Sequence, residues 1–337
     1  MPGQNSRWDK CGKMEKNCFF AVMHNTFLSV IGLIHQRADI ERLAAYLEGL
    51  YATLKDNFSD YEIVLVNNVP EWQIDEVIEP LPPALKKQIY LIRLSSRTNK
   101  NHAILAGLDR ANGDYTVILE TIFASQPEKV LELYEKSQEG FDVVYLQANK
   151  RLSPLRFRWL YALFYFILKR YSQLEVDEKA HNSRIISRRA LNSLLRLREN
   201  LRYMKAIYSI VGYRTACIPT EEPIPNDDDF RERFRTSLVA ITSYTTFLRA
   251  SMLWIFLGSF FFLMLVIINA LKVKFTETDL LGHAAVADTG WTFLVILIAI
   301  FFAVTTLNLY IMSIYLSNIY TEIKQRPPYI IESIKRF

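Results

Sequence analysis

Two stretches without a single charge, Met252–Leu271 and Trp291–Ile311, constrain this chain more than any other feature of its sequence. Each is close to the roughly 20 apolar residues a helix needs to cross a bilayer. A buried core helix is the alternative for such a run, and two in tandem without charges argue against it. Their flanks set an orientation. Arg231, Arg233, Arg235 and Arg249 precede the first run, and Lys324, Arg326, Lys335 and Arg336 follow the second. The connection between them mixes Lys272 and Lys274 with Glu277, Asp279 and Asp288. Basic residues collect on the cytoplasmic side of membrane helices, so both ends of the chain are expected there. The expected layout is a multi-pass protein of the cytoplasmic (inner) membrane. It has spans at 252–272 and 291–313, an amphipathic juxtamembrane helix over 230–251 and a cytoplasmic tail over 314–337.

The part ahead of the first span is long enough for one α/β domain, expected over 25–229 after a flexible tail at 1–24. Up to Asn17 the tail is polar and charged, without the apolar core of a signal peptide. Cys11, Cys18 and Cys217 show no paired spacing. Neither a disulfide framework nor a zinc site is indicated, and reducing cytosol is the simplest compartment. The net charge of +5 is modest, and no nucleic-acid partner is expected.

Apolar runs at Phe27–Ile34, Tyr61–Val66, Ile89–Leu94 and Tyr115–Leu119 read as strands, with helical spacing over Ile40–Leu54 and Asn101–Ala111 between them. Such alternation predicts a doubly wound, mostly parallel sheet. The run from Tyr115 ends abruptly at Glu120 and is followed by Gln126-Pro127-Glu128, a helix start. A buried parallel strand delivers polar groups in this way to the carboxyl edge of a sheet, where ligands sit. Further on, Leu152–Ser172 sets Arg156, Arg158, Lys169 and Arg170 around Trp159, Phe164, Tyr165 and Phe166. That pattern suits a helix lying in the membrane interface, with a core helix of solvated ends as the alternative.

From Leu28 to Tyr329 these stretches carry a resemblance. Ala106-Gly107-Leu108 through Gly113-Asp114 to Glu120-Thr121-Ile122 and Gln126-Pro127-Glu128 is similar to the "GD…DADLQ.P.E" pattern of family 2 glycosyltransferases, in the polyprenyl-phosphate (dolichol-phosphate mannose synthase-like) branch. Arg184–Arg189 resembles "FRLL.RR". Tyr315, Ile319, Tyr320, Glu322, Lys324, Arg326, Pro327 and Tyr329 match "Y.GRIY.E.K.RP.Y". The resemblance implies a GT-A-type fold, a nucleotide-sugar donor (UDP- or GDP-linked) and a polyprenyl phosphate acceptor at the cytoplasmic face. It also implies Mg²⁺ or Mn²⁺ as cofactor, and a homo-oligomer or a membrane-protein partner.

Carried over residue by residue, it puts Ile34, Gln36 and Asn67 at the nucleotide base. Arg97 and Lys100 stand where cations face phosphates, Glu120 and Ile122 where two Asp ligate the metal, and Asn182 and Arg184 near the acceptor. Helix-face solvation is an equal alternative for Arg97 and Lys100, as pairing with a local carboxylate is for Arg184. Only Glu120 of the metal ligands remains a carboxylate. Ile122 and Ala124 cannot coordinate a cation, and an amide at Asn182 cannot act as a general base. Gln126 and Glu128 could substitute only by a loop shift. Asn68–Pro70 replaces a Gly-containing motif and reads as a plain turn, as does the acidic run Glu221–Asp229 where the family has a basic loop.

Two readings follow. In one the protein is a membrane glycosyltransferase with altered chemistry, metal-independent transfer through Arg97, Lys100 and Arg184 being one form of it. In the other it is a catalytically inactive pseudo-glycosyltransferase that binds partner subunits or lipid. The departures cluster on acidic and glycine positions while the architecture is kept, which points to relaxed or altered chemistry on an intact fold.

Overall fold

The computed structural model describes residues 23–149, 158–171, 177, 179–197, 212–224, 237–238, 240–242, 245–276, 278, 282, 291–324 and 327–337. The tail up to residue 22, the acidic stretch from 225 and the first part of the juxtamembrane segment, 230–236, lie outside these.

The central strand β1 (His24–Ile34) is flanked in parallel by β2 (Phe58–Asn67) and β4 (Tyr115–Ile118), and β2 in turn pairs in parallel with β3 (Ile89–Leu94). Helix α1 (Arg37–Asn57) joins β1 to β2. Two one-turn helices, α2 (Asp75–Ile78) and α3 (Pro83–Lys86), precede β3, and α4 (Lys100–Arg110) joins β3 to β4. After β4 come a 3₁₀ turn (Thr121–Phe123), α5 (Lys129–Gln138), β5 (Val143–Ala148), α6 (Arg158–Tyr171), β6 (Ala180–Ser187), α7 (Arg188–Arg196) and β7 (Thr215–Thr220). The last elements are two long helices, α8 (Phe247–Thr276) and α9 (Trp291–Ile323), and a strand, β8 (Ile331–Arg336). The sheet runs β7-β5-β6-β4-β1-β2-β3-β8.

The sheet is parallel around β1 but mixed overall. β6 runs antiparallel to β4 and β5, and β8 antiparallel to β3. Side chains alternate across the strands as a twofold period requires. Leu28, Val30 and Ile34 of β1 face one core with α1 and α5, while Ile31 and Leu33 face another with α4 and α7. Burial of a Leu, Ile or Val contributes about 1.5–3 kcal/mol, and both faces of β1 and β2 are buried in this way. A close approach of α4 to the sheet explains Ala106-Gly107-Leu108. A Cβ on Gly107 would stand 2.6 Å from Ile31 Cγ2 and 3.1 Å from Val66 Cγ2. Only hydrogen lets α4 lie this near β1 and β2.

Helices α8 and α9 contain stretches, Ala250–Val273 and Ile296–Tyr320, long and apolar enough to cross a membrane. They are not core helices: 0% of the first and 6% of the second is buried, and Trp254, Phe261, Phe302 and Tyr310 are exposed. α9 runs ten residues past the expected end of its span. What was expected as a tail then returns to the domain. Ser95 N donates to Ile330 O, the Tyr329 hydroxyl donates to Asp109 on α4, and β8 pairs with β3. Within α6, Phe164 and Leu168 pack on Ala240, while Leu163 and Phe166 are exposed.

Candidate active site

The carboxyl ends of β1 and β4 and the first turns of α1 and α4 enclose a cleft. It is lined by Leu33, His35, Gln36, Ala38, Asp39 and Arg42 from the β1–α1 side, and by Lys100, Glu120, Thr121 and Ile122. Its walls are fixed by Asp39. One oxygen of that carboxylate accepts from the backbone N–H groups of His35 (2.9 Å) and Gln36 (2.8 Å), and the other from the Thr121 hydroxyl. The α1 N-terminus is thereby capped by its own acid and tied to the turn after β4. Behind it, the buried Tyr46 hydroxyl donates to Leu119 O at 2.9 Å, and burial raises its pKa far above the usual phenol value, with Asp39 adding to the effect.

Glu120 is the centre of the cleft. Lys100 Nζ lies 2.8 Å from Oε1, and Asn182 Nδ2 donates to the same oxygen at 3.2 Å. His181 Nδ1 stands 3.5 Å from Oε2, and its Nε2 is 3.0 Å from Glu222 O. The register explains the meeting. β6 pairs Arg184 with Ile118, so two residues further along Asn182 comes opposite Glu120, and the buried Ser183 hydroxyl accepts from Glu120 N at 3.0 Å. Burial alone would push the Glu120 carboxyl up. The adjacent Lys100 ammonium and the His181 ring outweigh it and hold the carboxyl well below the usual range.

The other expected site residues divide. Gln36, Lys100, Glu120 and Ile122 line the cleft, and Asn182 reaches it through Glu120. Ile34 does not, because its side chain is fully buried in the core under α1. The amide of Asn67 is spent locally, donating to Trp72 O and accepting from Val69 N, which makes a turn rather than a base contact. Arg97 is exposed and outside the lining. Arg184 is buried and donates to the backbone carbonyls of Asn182 (3.0 Å) and His181 (2.6 Å), so it holds β6 in shape instead of facing an acceptor.

Asn68 is no plain turn residue. Fully buried, it donates to Thr98 O (2.8 Å) and His35 Nδ1 (2.7 Å) and accepts from Thr98 N (2.9 Å) and Oγ1 (3.1 Å). It ties together the loops after β1, β2 and β3. Gln126 donates to Glu222 Oε1 and does not replace a lost ligand. Sequence reasoning missed His181, Asp39, Arg42 and Thr121. The antiparallel pairing of β6 with β4 would have revealed His181.

A divalent cation does not fit this donor set. The side chain at 122 is hydrocarbon, and the single carboxylate at the centre already has an ammonium as its counter-ion. Among the described residues no group of three or more His, Cys, Asp or Glu could hold a metal ion.

A mixed α/β sheet with a charged cleft at its carboxyl edge, carried on two exposed apolar helices, is thus the class of protein at hand. The family model described as Glycosyl transferase family 2 matches residues 29–195, a stretch that runs from within β1 into α7. Among curated relatives, the glycosyltransferase sll0501 of Synechocystis is 27% identical over 314 residues, covering 90% of this chain and 94% of that one. The prophage bactoprenol glucosyl transferase homolog of Escherichia coli K12 is 26% identical over 283 residues, covering 82% of this chain and 90% of its own length. Mannosyl-3-phosphoglycerate synthase from Rubrobacter xylanophilus, a solved structure, aligns at a TM-score of 0.44 and 12% identity over 64% of this chain and 72% of that one.

Proposed function

We propose that the protein transfers a sugar from a UDP- or GDP-linked donor to a polyprenyl phosphate at the cytoplasmic face of the membrane. The observation that carries this reading is the extent of the likeness. Bactoprenol glucosyl transferases match 82% of this chain, much more than the family 2 segment at 29–195, so the likeness extends past that segment towards the apolar helices. In the reaction an acceptor phosphate oxygen attacks the anomeric carbon. The bond from that carbon to the diphosphate breaks, and the nucleoside diphosphate leaves with the electron pair. A phosphate monoester has its second pKa at about 6 and is already largely ionised near neutrality. Asn182 in place of a carboxylate therefore removes no essential base. The chain's task is to position both phosphates and stabilise the leaving one.

Two crossings return a chain to the side it left. The pairing of β8 with β3 and the basic flanks support a topology with the domain and the chain's end together in the cytoplasm. The exposed Leu163 and Phe166 of α6 suit contact with the membrane interface. A second reading, a silent relative that binds lipid or a partner, draws on Ile122 and Ala124 at the former ligand positions. Labelled UDP- and GDP-sugars given to membranes containing the full chain separate the two. Label in the organic phase that increases with added polyprenyl phosphate is the expected result, and label that stays aqueous with every donor favours the silent relative.

A further inference from the structure

The proposed transfer leaves one charge unaccounted for, since the departing diphosphate needs a cation and the donor set rejects a divalent one. We infer that the Lys100 ammonium, held by Glu120, takes the place of the metal and binds the donor's diphosphate directly. This rests on the nucleotide-sugar reading and specifies its chemistry.

Charge balance is the first argument. A divalent cation and one ammonium among three aspartates form a neutral cluster, and so does one ammonium on one carboxylate. The cation at position 100 is common to both, so losing the dication's two positive charges is matched by losing two acidic groups, at Ile122 and at Asn182. The two departures compensate each other and leave the cleft at the charge it would have with metal bound.

Geometry is the second. Lys100 opens α4, and its Nζ reaches across the cleft to Glu120 Oε1 at 2.8 Å. Asn182 donates to the same oxygen, and His181 approaches the other, so the carboxylate is fixed from three sides. An ammonium carries three donors. Anchored on Glu120, it stands in the cleft as a positive charge able to meet phosphate oxygens. Arg42, exposed on the opposite wall, supplies a second positive charge to the same cleft. Glu120 acts here as a positioning residue for Lys100, with no metal to ligate.

Binding of UDP-glucose and GDP-mannose to the full chain in lipid nanodiscs, in EDTA and in Mn²⁺, tests this without requiring turnover. The expected result is the same affinity in both conditions. The neutral pair Lys100→Met with Glu120→Gln removes both charges together and so strands neither. It should weaken binding by about tenfold or more, the scale of a lost hydrogen bond to a charged group. Lys100→Arg should restore most of it. Tenfold tightening of the wild type by Mn²⁺ would overturn the inference while leaving nucleotide-sugar binding intact. So would metal-independent binding that the neutral pair leaves unchanged. A wild type that binds neither sugar in either condition would refute the nucleotide-sugar reading itself.

Discussion

Replacing Asn68 by alanine should loosen the whole carboxyl edge of the sheet. The side chain makes four hydrogen bonds, two donated to Thr98 O and His35 Nδ1 and two accepted from Thr98 N and Oγ1. A hydrogen bond contributes a net ~0.5–1.5 kcal/mol, and more is lost when a buried partner is stranded. Thr98 is only half-buried, so water can reach part of what the alanine leaves open, which favours the lower half of the range. The expected loss is about 2–3 kcal/mol in all. For a domain of this size each kcal/mol moves the melting temperature by roughly 2–4 °C, so thermal melts of the full chain in detergent should fall by about 5–10 °C. Asn68→Asp keeps the two acceptor bonds and loses the donors, and should lie between. The same change frees the loop that leads to Lys100, so nucleotide-sugar affinity should fall with stability. Melting of the alanine variant within about 2 °C of wild type would refute the view that this residue joins the three loops.

Gly107→Ala should lower the melting temperature even though alanine is the better helix former by about 1 kcal/mol. Its Cβ meets Ile31 at 2.6 Å, and overpacking of this kind costs about 1–3 kcal/mol. A raised melting temperature would mean that α4 moves away freely. Glu120 has a lowered pKa when folded, so its stabilisation is complete above the unfolded value of about 4.3 and is lost as pH falls through the folded value. Wild type should therefore lose stability more steeply than Glu120→Gln on acidification below about pH 5, and parallel melting curves would contradict the pairing with Lys100. For topology, a cysteine at Ala287 should react with an impermeant reagent added outside intact cells and one at Ser6 should not. Reaction at Ser6 would overturn the arrangement.

Much of the fold was legible because its signals are local. Continuous apolar runs announced β2, β3 and β4, and the two uncharged stretches announced α8 and α9. β8 was hidden for a physical reason. All six of its residues are exposed, Ile331 and Ile334 are spaced three apart, and it is held by backbone pairing to β3, so no alternating pattern marks it. The resemblance at Tyr329 was visible, whereas its role was not, since Asp109 lies 220 positions away.

At the site, Gln36, Lys100, Glu120 and Ile122 were found through the resemblance and do share a cleft. Asn68 was misread because a buried polar hub and a solvated turn look alike in sequence. The difference is made by the loops after β1 and β3. Arg97 projects to solvent, the alternative left open for it, whereas Arg184 folds onto backbone carbonyls, which neither reading of it anticipated. Charge alone does not tell where a long side chain ends.

Sugar transfer by purified full chain, with and without metal, tests the central claim most directly. UDP-glucose or GDP-mannose, labelled in the sugar, is supplied with polyprenyl phosphate in nanodiscs, and labelled lipid is measured in EDTA and in Mn²⁺. A lysine that stands in for the metal predicts lipid-linked sugar at the same rate in both. Product formed only with Mn²⁺ would show a rebuilt metal site, and no product in either would contradict transferase activity altogether.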